Sequence, residues 1–383
     1  MRIGIITHPL RYNFGGLLQA YALQEILRRI GHQPITLDPK PMSGVGFMEW
    51  LFNLPKKIAI KYILGYRSIV LLKDVRYKSH LANIMQYQQS FIDKYINKKE
   101  VADYDQLSED DFDMLIVGSD QVWRPAYSKD LSRVFLGFAE HWNVGRISYA
   151  ASFGSEEWEY SKEMEAYCKR LIQKFNAISV REKVGIELCK KHFGVDATHV
   201  LDPTMLLAKE DYVAIVNNTD TKVCSGKMLV YLLDENPDNL SWISRMSEIL
   251  NMSLFRVNGK PETSPTAKGR IQPSVEQWLR GFVEAKFVLT DSFHACVFSI
   301  IFNKPFLVWV NETRGRARIE SLLSMFNLQD KLCDKCSSTN INSLFNYNWT
   351  VVNERLNAER ANSLLFLKDA LNKKSCKHSI QSL

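Results

Sequence analysis

The first forty positions change their hydrophobic period twice. Ile3, Gly4, Ile5 and Ile6 form a short unbroken run of the kind a buried parallel strand carries. A polar, glycine-containing loop follows over residues 7–16. Ala20, Leu23, Leu27 and Ile30 then recur at helical spacing, and Gly31 stands where helices commonly end. Residues 33–37 alternate as a second strand, stopped by Asp38-Pro39. Strand, helix and strand in so short a stretch predict a right-handed βαβ unit and a parallel sheet.

Similar apolar runs predict strands at 114–117, 146–150, 177–180 and 199–201. Each leaves through polar or small residues: Gly118-Ser119-Asp120, Ser152-Phe153-Gly154, Arg181-Glu182 and Asp202-Pro203. Open α/β sheets bind ligands at the carboxyl ends of their strands, so these four exits mark one rim of a site. A connector runs to about residue 223, and a second series begins there. Its strands are expected at 227–233, 253–257, 287–290 and 306–310, with helices near 240–250, 275–285, 295–302 and 318–326. A long amphipathic helix is expected at 353–371. The expected fold is α/β, with two Rossmann-like domains facing a cleft and mostly parallel sheets. The expected limits are 1–207 with a helical insertion at about 40–111, then 208–352, then a C-terminal helix and polar tail at 353–383.

Composition narrows the class. The 383 residues are 46% hydrophobic, too apolar for a disordered chain. The net charge is +7, but Lys and Arg are spread along the chain rather than gathered in a tail or on one helix, which argues against nucleic acid as a partner. The densest basic stretch, PKKIAIKYILGYRSIVLLKDVRYKS, alternates Lys and Arg with Ile, Leu and Tyr. It suits either a helix lying on a membrane surface or one packed on the domain with its Lys stems solvated. The seven cysteines are odd in number and widely spaced, so a disulfide framework is not expected and a reducing compartment is favoured. Cys333 and Cys336, with Cys376 and His378 far downstream, have poor spacing for zinc, and no metal is expected. The N-terminus lacks the long apolar core of a signal peptide, and no run is long enough to span a bilayer. The expected location is cytoplasmic, with peripheral contact at the inner membrane face left open.

Candidate chemistry sits at the strand exits. Asn13, Gly15 and Gly16 open a helix whose N–H groups suit a phosphate or carboxylate, or simply allow a tight turn. Asp120 reaches the rim as a candidate base for a sugar hydroxyl, with Ser119 beside it and Trp123 as a flat surface for a sugar ring; the alternative for Asp120 is an N-cap. Ser152 lies at the next exit. Arg181 offers a planar fork for a carboxylate or phosphate, or a structural ion pair with a nearby acid. Asp291, Ser292 and His294 lack the GxSxG elbow of a hydrolase, and their spacing does not let them face one another. His294 at a strand-to-helix exit suits an anion contact or a proton donor. Arg314, Arg316 and Arg318 either face the cleft or lie in solvent.

Taken in order, NFGGLLQAYALQEIL, FDMLIVGSDQVW, SYAASFG, SVRE, VLDPTML and TDSFHACVFSIIFNKPFLVW resemble the polysaccharide pyruvyl transferase family, and ERANSLLFLKDAL fits as well. The resemblance implies a GT-B-like architecture. It also implies transfer of pyruvate from phosphoenolpyruvate to a sugar of a surface polysaccharide precursor, with a cyclic ketal formed across two hydroxyls. It would place Arg181 and His294 at the donor and Asp120 near the acceptor, with His294 as acid and Asp120 as base, and would require no cofactor. Two positions depart from the pattern. Ser292 stands where members tend to carry Arg, and Gly16 where they often carry an acid; Arg316 or Arg318 would then supply the missing charge. Two alternatives remain. One is a GT-B-like glycosyltransferase using a nucleotide sugar, for which Glu312 is a poor ribose ligand. The other is a non-catalytic relative that binds anions or glycans. The acceptor, lipid-linked or not, is unspecified.

Overall fold

A computed structural model describes residues 1–40, 81–128, 130–259, 267–309, 315–333 and 344–380. The basic stretch at 55–79, Glu312, Arg314 and Cys336 lie outside the described residues, as do the side chains of Cys376 and His378.

Two parallel sheets organise the chain. The first is built from β1 (Arg2–Ile6), β2 (Gln33–Pro39), β3 (Lys98–Val101), β4 (Met114–Asp120), β5 (Gly145–Ala151), β6 (Ala177–Val180) and β7 (Thr198–His199). Its order is β3-β2-β1-β4-β5-β6-β7, so the winding reverses between β1 and β4. The second contains β8 (Met228–Tyr231), β9 (Leu254–Phe255), β10 (Phe287–Thr290), β11 (Phe306–Trp309) and β12 (Leu332–Cys333), in the order β12-β11-β10-β8-β9. Here the reversal lies between β8 and β10. Pairings on both sides of each reversal are parallel. In doubly wound sheets such reversals open a crevice at the strand ends, so each domain offers one binding edge.

Local sequence explains the strand ends. The β1 run is buried from Ile3 onward, and the helix Phe14–Arg29 follows it, N-capped by Asn13. The β5 register shifts between Ser148 and Ala151, with Ala150 at φ 53°. Ser148 and Ser179 replace the lost ladder bonds: Ser148 Oγ donates to Ser179 O at 3.0 Å, and Ser179 Oγ donates to Ser148 O at 2.9 Å. A bulge of this kind re-aims the residues after it, here Ser152-Phe153-Gly154.

One expectation changes, and the expected C-terminal helix proves longer than 353–371. The stretch read as a helical insertion contains the helix Gln88–Tyr95, but it also supplies β3, a polar edge strand paired with β2. The final helix, Trp349–Ile380, returns to the first sheet. Its Ser363 Oγ accepts from Leu201 N at 3.0 Å, and Arg360 donates to the carbonyls of Met205 and Leu207. Val352, Leu356, Leu367, Ala370 and Leu371 are its buried apolar face.

The domains meet through aromatic packing. Phe14 of the first domain stacks on Trp278 of the second at 5.5 Å and meets Tyr231 of the second edge-on at 6.5 Å. Each such pair contributes roughly 0.5–1.5 kcal/mol beyond its buried area. One contiguous hydrophobic cluster thereby includes residues of both sheets' supporting helices. Among the described residues, no helix is long and apolar enough to cross a membrane.

Candidate active site

Both reversal points open onto one cavity of about 830 Å³. The β1 and β4 exits supply His8, Arg11, Asn13, Phe14, Gly15 and Asp120 to its wall. The β8 and β10 exits supply Leu232 to Pro237 and Asp291 to His294, and Arg318 joins from the helix Arg316–Met325.

The floor is an ion cluster. At Gly118 a Cβ would lie 2.2 Å from Tyr149 O, so only glycine allows β4 this close to β5. Two residues later Asp120 has φ 73°, a left-handed conformation uncommon for a non-glycine and enriched at functional sites. Its Oδ1 accepts from Gln121 N at 2.9 Å and from Arg181 Nη2 at 3.1 Å. The other arm of Arg181 donates from Nη1 to Asp202 Oδ2 at 2.9 Å. Asp202 also accepts from Ser119 Oγ at 3.0 Å and from Thr204 Oγ1 at 2.7 Å. Its Oδ2 lies 3.6 Å from His294 Nε2, which arrives from the second domain.

Burial would raise both carboxyls, but the surrounding cations outweigh it. Arg181 leads the groups that hold Asp120 well below the usual carboxylate range, with His294 and Arg318 adding to it. His294 and Arg181 do the same for Asp202. Burial also pulls the Arg318 guanidinium down to about 10, with Arg181 adding repulsion, and this leaves it charged at neutral pH. The two guanidiniums share the Phe293 ring, with Arg181 4.4 Å and Arg318 5.6 Å from its centroid. His8 is lowered from its ordinary value, chiefly by burial, with Asp120 opposing and Arg133 adding to the shift. It is neutral at pH 7.

The anticipated residues separate into two groups. Asp120, His294, Ser292, Asn13, Gly15 and Arg318 line the cavity. The others do not, and each for a visible reason. Trp123 is fully buried, stacked on Phe135 at 5.2 Å with its Nε1 donating to Val134 O, so it is core and not a sugar platform. Ser152 is buried and accepts from Gly154 N at 3.1 Å. Ser119 serves Asp202 rather than the cavity. Arg181 lies beneath Asp120, consumed by two carboxylates, which is the structural ion pair left open from sequence. Gly16 gives its N–H to the Asn13 cap at 3.2 Å. Arg316 donates to Glu320, one turn along its own helix, at 2.6 Å. Asp291 faces the cavity, but its carboxylate accepts the N–H groups of Leu233 and Asp234 and so holds the β8 exit loop.

Asp202 and His8 were not among the expected residues. Asp202-Pro203 was visible as a polar strand exit. His8 stands two residues past β1, at the edge where the winding reverses. Gly15 has a different use from the expected anion cradle: a Cβ there would lie 2.1 Å from His294 Nδ1, so the missing side chain makes room for the imidazole. Among the described residues, no group of His, Cys, Asp and Glu could hold a metal ion.

Two Rossmann-like domains with a shared cleft at their reversal points define a GT-B-like protein. A family model for polysaccharide pyruvyl transferase matches residues 13–312, and the chain belongs to that family. No curated protein matches it in sequence. Among solved structures, it is similar to UDP-GlcNAc 2-epimerase from Neisseria meningitidis bound to UDP-GlcNAc, with TM-score 0.51 and 9% identity over 97% of this chain and 100% of that one. It is also similar to MurG of Acinetobacter baumannii (TM-score 0.41, 11% identity, 97% and 99% covered). A third is MnaA of S. aureus with UDP (TM-score 0.44, 13% identity, 95% and 91% covered). At these identities the likeness is one of fold.

Proposed function

We propose that the cleft transfers pyruvate from phosphoenolpyruvate to a saccharide of a surface polysaccharide precursor, forming a cyclic ketal. The observation that carries this reading is that one cavity of a family member is lined by His8, by Arg318 and by the first residues of the helices Phe14–Arg29 and Phe293–Ile301, His294 among them. Phosphoenolpyruvate bears a carboxylate and a phosphate. Arg318 and two helix N-termini suit those anions, and Arg318 compensates for Ser292.

In the first step a sugar hydroxyl oxygen bonds to C2 of the donor, and the C3 methylene takes up a proton. His294, oriented through Nε2 by Asp202, is the acid for C3. The hydroxyl proton needs a base that is unprotonated yet still basic. Asp120, held low by Arg181, is ionised but weak, whereas His8 is neutral and better matched. The base role therefore passes from Asp120 to His8, and Asp120 keeps Arg181 in place. In the second step the C2–O bond to phosphate breaks, phosphate leaves with the electron pair, and a second hydroxyl adds to C2 and loses its proton. One donor and one diol give one ketal and one inorganic phosphate.

The test is incubation of the full chain with phosphoenolpyruvate and a panel of pyranosides, following phosphate release and product mass. Acceptor-dependent phosphate with a pyruvate ketal in the product is the expected result. Turnover of a UDP-sugar in place of phosphoenolpyruvate overturns the reading.

A further inference from the structure

The cavity is larger than its three-carbon donor requires. At about 830 Å³ it lies in the upper part of the roughly 300–1,000 Å³ typical of sites for drug-sized ligands. Its lining is also uneven. Around the ion cluster stand Arg318, His8 and His294. The wall changes character across the second sheet, whose order β10-β8-β9 sets the loops after β8 and β9 progressively farther from His294. There the lining is Asn236, Asn258 and Gln272, with the carboxylates of Asp234 and Glu235 and the side chains of Leu233 and Leu240. Gln272 N donates to Ile84 O of the first domain at 3.0 Å, which closes this end.

We propose that this β8–β9 end is the acceptor subsite and that it takes an uncharged pyranoside ring. Asn258 carries the argument. Its Nδ2 donates to Leu232 O at 3.3 Å, which fixes the amide, while its Oδ1 is buried and has no hydrogen-bond partner among the described residues. A buried acceptor left unmade is costly, and a sugar hydroxyl is a donor that satisfies it. Gln272 is held in the same way, its Oε1 accepting from Gly259 N at 3.2 Å. The amides therefore stand in fixed orientations before a ligand arrives. Leu233 and Leu240 are 41% and 39% exposed on the same wall, an apolar surface for the C–H face of a pyranose. Asp234, Glu235 and Asp291 oppose an anionic ring here, even with Arg256 paired to Glu235. The division gives the cleft a polarity: the anionic donor at the ion cluster, the neutral sugar at the amide end, and the reacting hydroxyls between them.

The assignment rests on the pyruvyl-transfer reading only in calling this sugar the acceptor. The experiment is saturation-transfer NMR on the full chain with two probes, methyl β-glucopyranoside and methyl β-glucuronide, in wild type, Asn258→Leu and Gln272→Leu. The expected result is transfer to the glucoside and little to the glucuronide. Apparent glucoside affinity should fall by about fivefold in each variant, the worth of one net hydrogen bond. Melting curves of both variants and their thermal shift with phosphoenolpyruvate should match wild type. The subsite is refuted by unchanged glucoside transfer in both variants, by equal transfer to the glucuronide, or by no transfer to either probe. A wild-type chain that shows no shift with phosphoenolpyruvate counts against the donor reading alone.

Discussion

Replacing Gly15 by alanine separates what helps the helix from what the site needs. Gly15 is the second residue of the helix Phe14–Arg29 and has no positive φ, so alanine fits its backbone. On helix propensity alone the change is favourable, by up to about 1 kcal/mol in a helix interior. The cost lies across the domain boundary. The new Cβ would stand 2.1 Å from His294 Nδ1, 2.3 Å from Cγ and 2.6 Å from Cε1. Ordinary contact begins near 3.4 Å, so the ring must retreat by at least about 1.3 Å. It has little room to do so, since Asp202 Oδ2 stands 3.6 Å beyond Nε2 and the ring is only 9% exposed. A displacement of about 1 Å at a reacting group costs on the order of 100-fold in rate.

Gly15→Ala is therefore expected to fold with a modestly lowered melting temperature, the overpacking strain only partly offset by the helix gain, while kcat for acceptor-dependent phosphate release falls about 100-fold. Imidazole ¹H–¹⁵N spectra of the resting protein give a readout independent of the reaction, and the His294 signals should move. Wild-type kcat with unmoved His294 signals would refute the claim that Gly15 exists to admit that ring.

Two further substitutions probe the ion cluster. Arg318→Gln keeps bulk and removes charge; the KM for phosphoenolpyruvate should rise by roughly 10–100-fold, the worth of a hydrogen bond to a charged group, and an unchanged KM would exonerate Arg318. Asp202→Asn acts on acid stability. A carboxyl held low in the native state stabilises the fold fully above its unfolded value, about 4, and that support is lost as pH falls through the native value. The wild type should thus lose melting temperature steeply below about pH 4, and Asp202→Asn, already lower at pH 7, should lose it less steeply; parallel curves would mean that Asp202 is not ionised in the folded chain.

The architecture was legible where the signal was local. The Ile3–Ile6 run, the helical period to Ile30 and the apolar strand before Asp120 each need only a few consecutive residues. β3 was not, because Lys98–Val101 is mostly polar and sits on a sheet edge, where burial imposes no apolar alternation. Within the site, Asp120 and His294 could be found because they stand at strand exits. Trp123 was misjudged for a tertiary reason: an indole beside a polar exit suits a sugar, and nothing nearby in sequence reveals the Phe135 ring and Val134 carbonyl that claim it. Arg181 shows the same limit, since its two carboxylates come from other strand exits.

The position of Asp202 has a consequence for how the site is assembled. Asp202 and Gly15 belong to the first domain, and His294 belongs to the second. The imidazole is thus held on one edge by a carboxylate and on another by the space above a glycine, both supplied from across the cleft. Arg318 likewise enters from the second domain and shares the Phe293 ring with Arg181 of the first. The acid and Arg318 therefore take their working positions only when the two domains are in contact. The Phe14–Trp278 stack beside the cavity gives that contact an apolar anchor. A substitution such as Phe14→Ala, which removes no charge, would loosen the His294–Asp202 pairing by the same route as Gly15→Ala, through the domain interface and not through the chemistry.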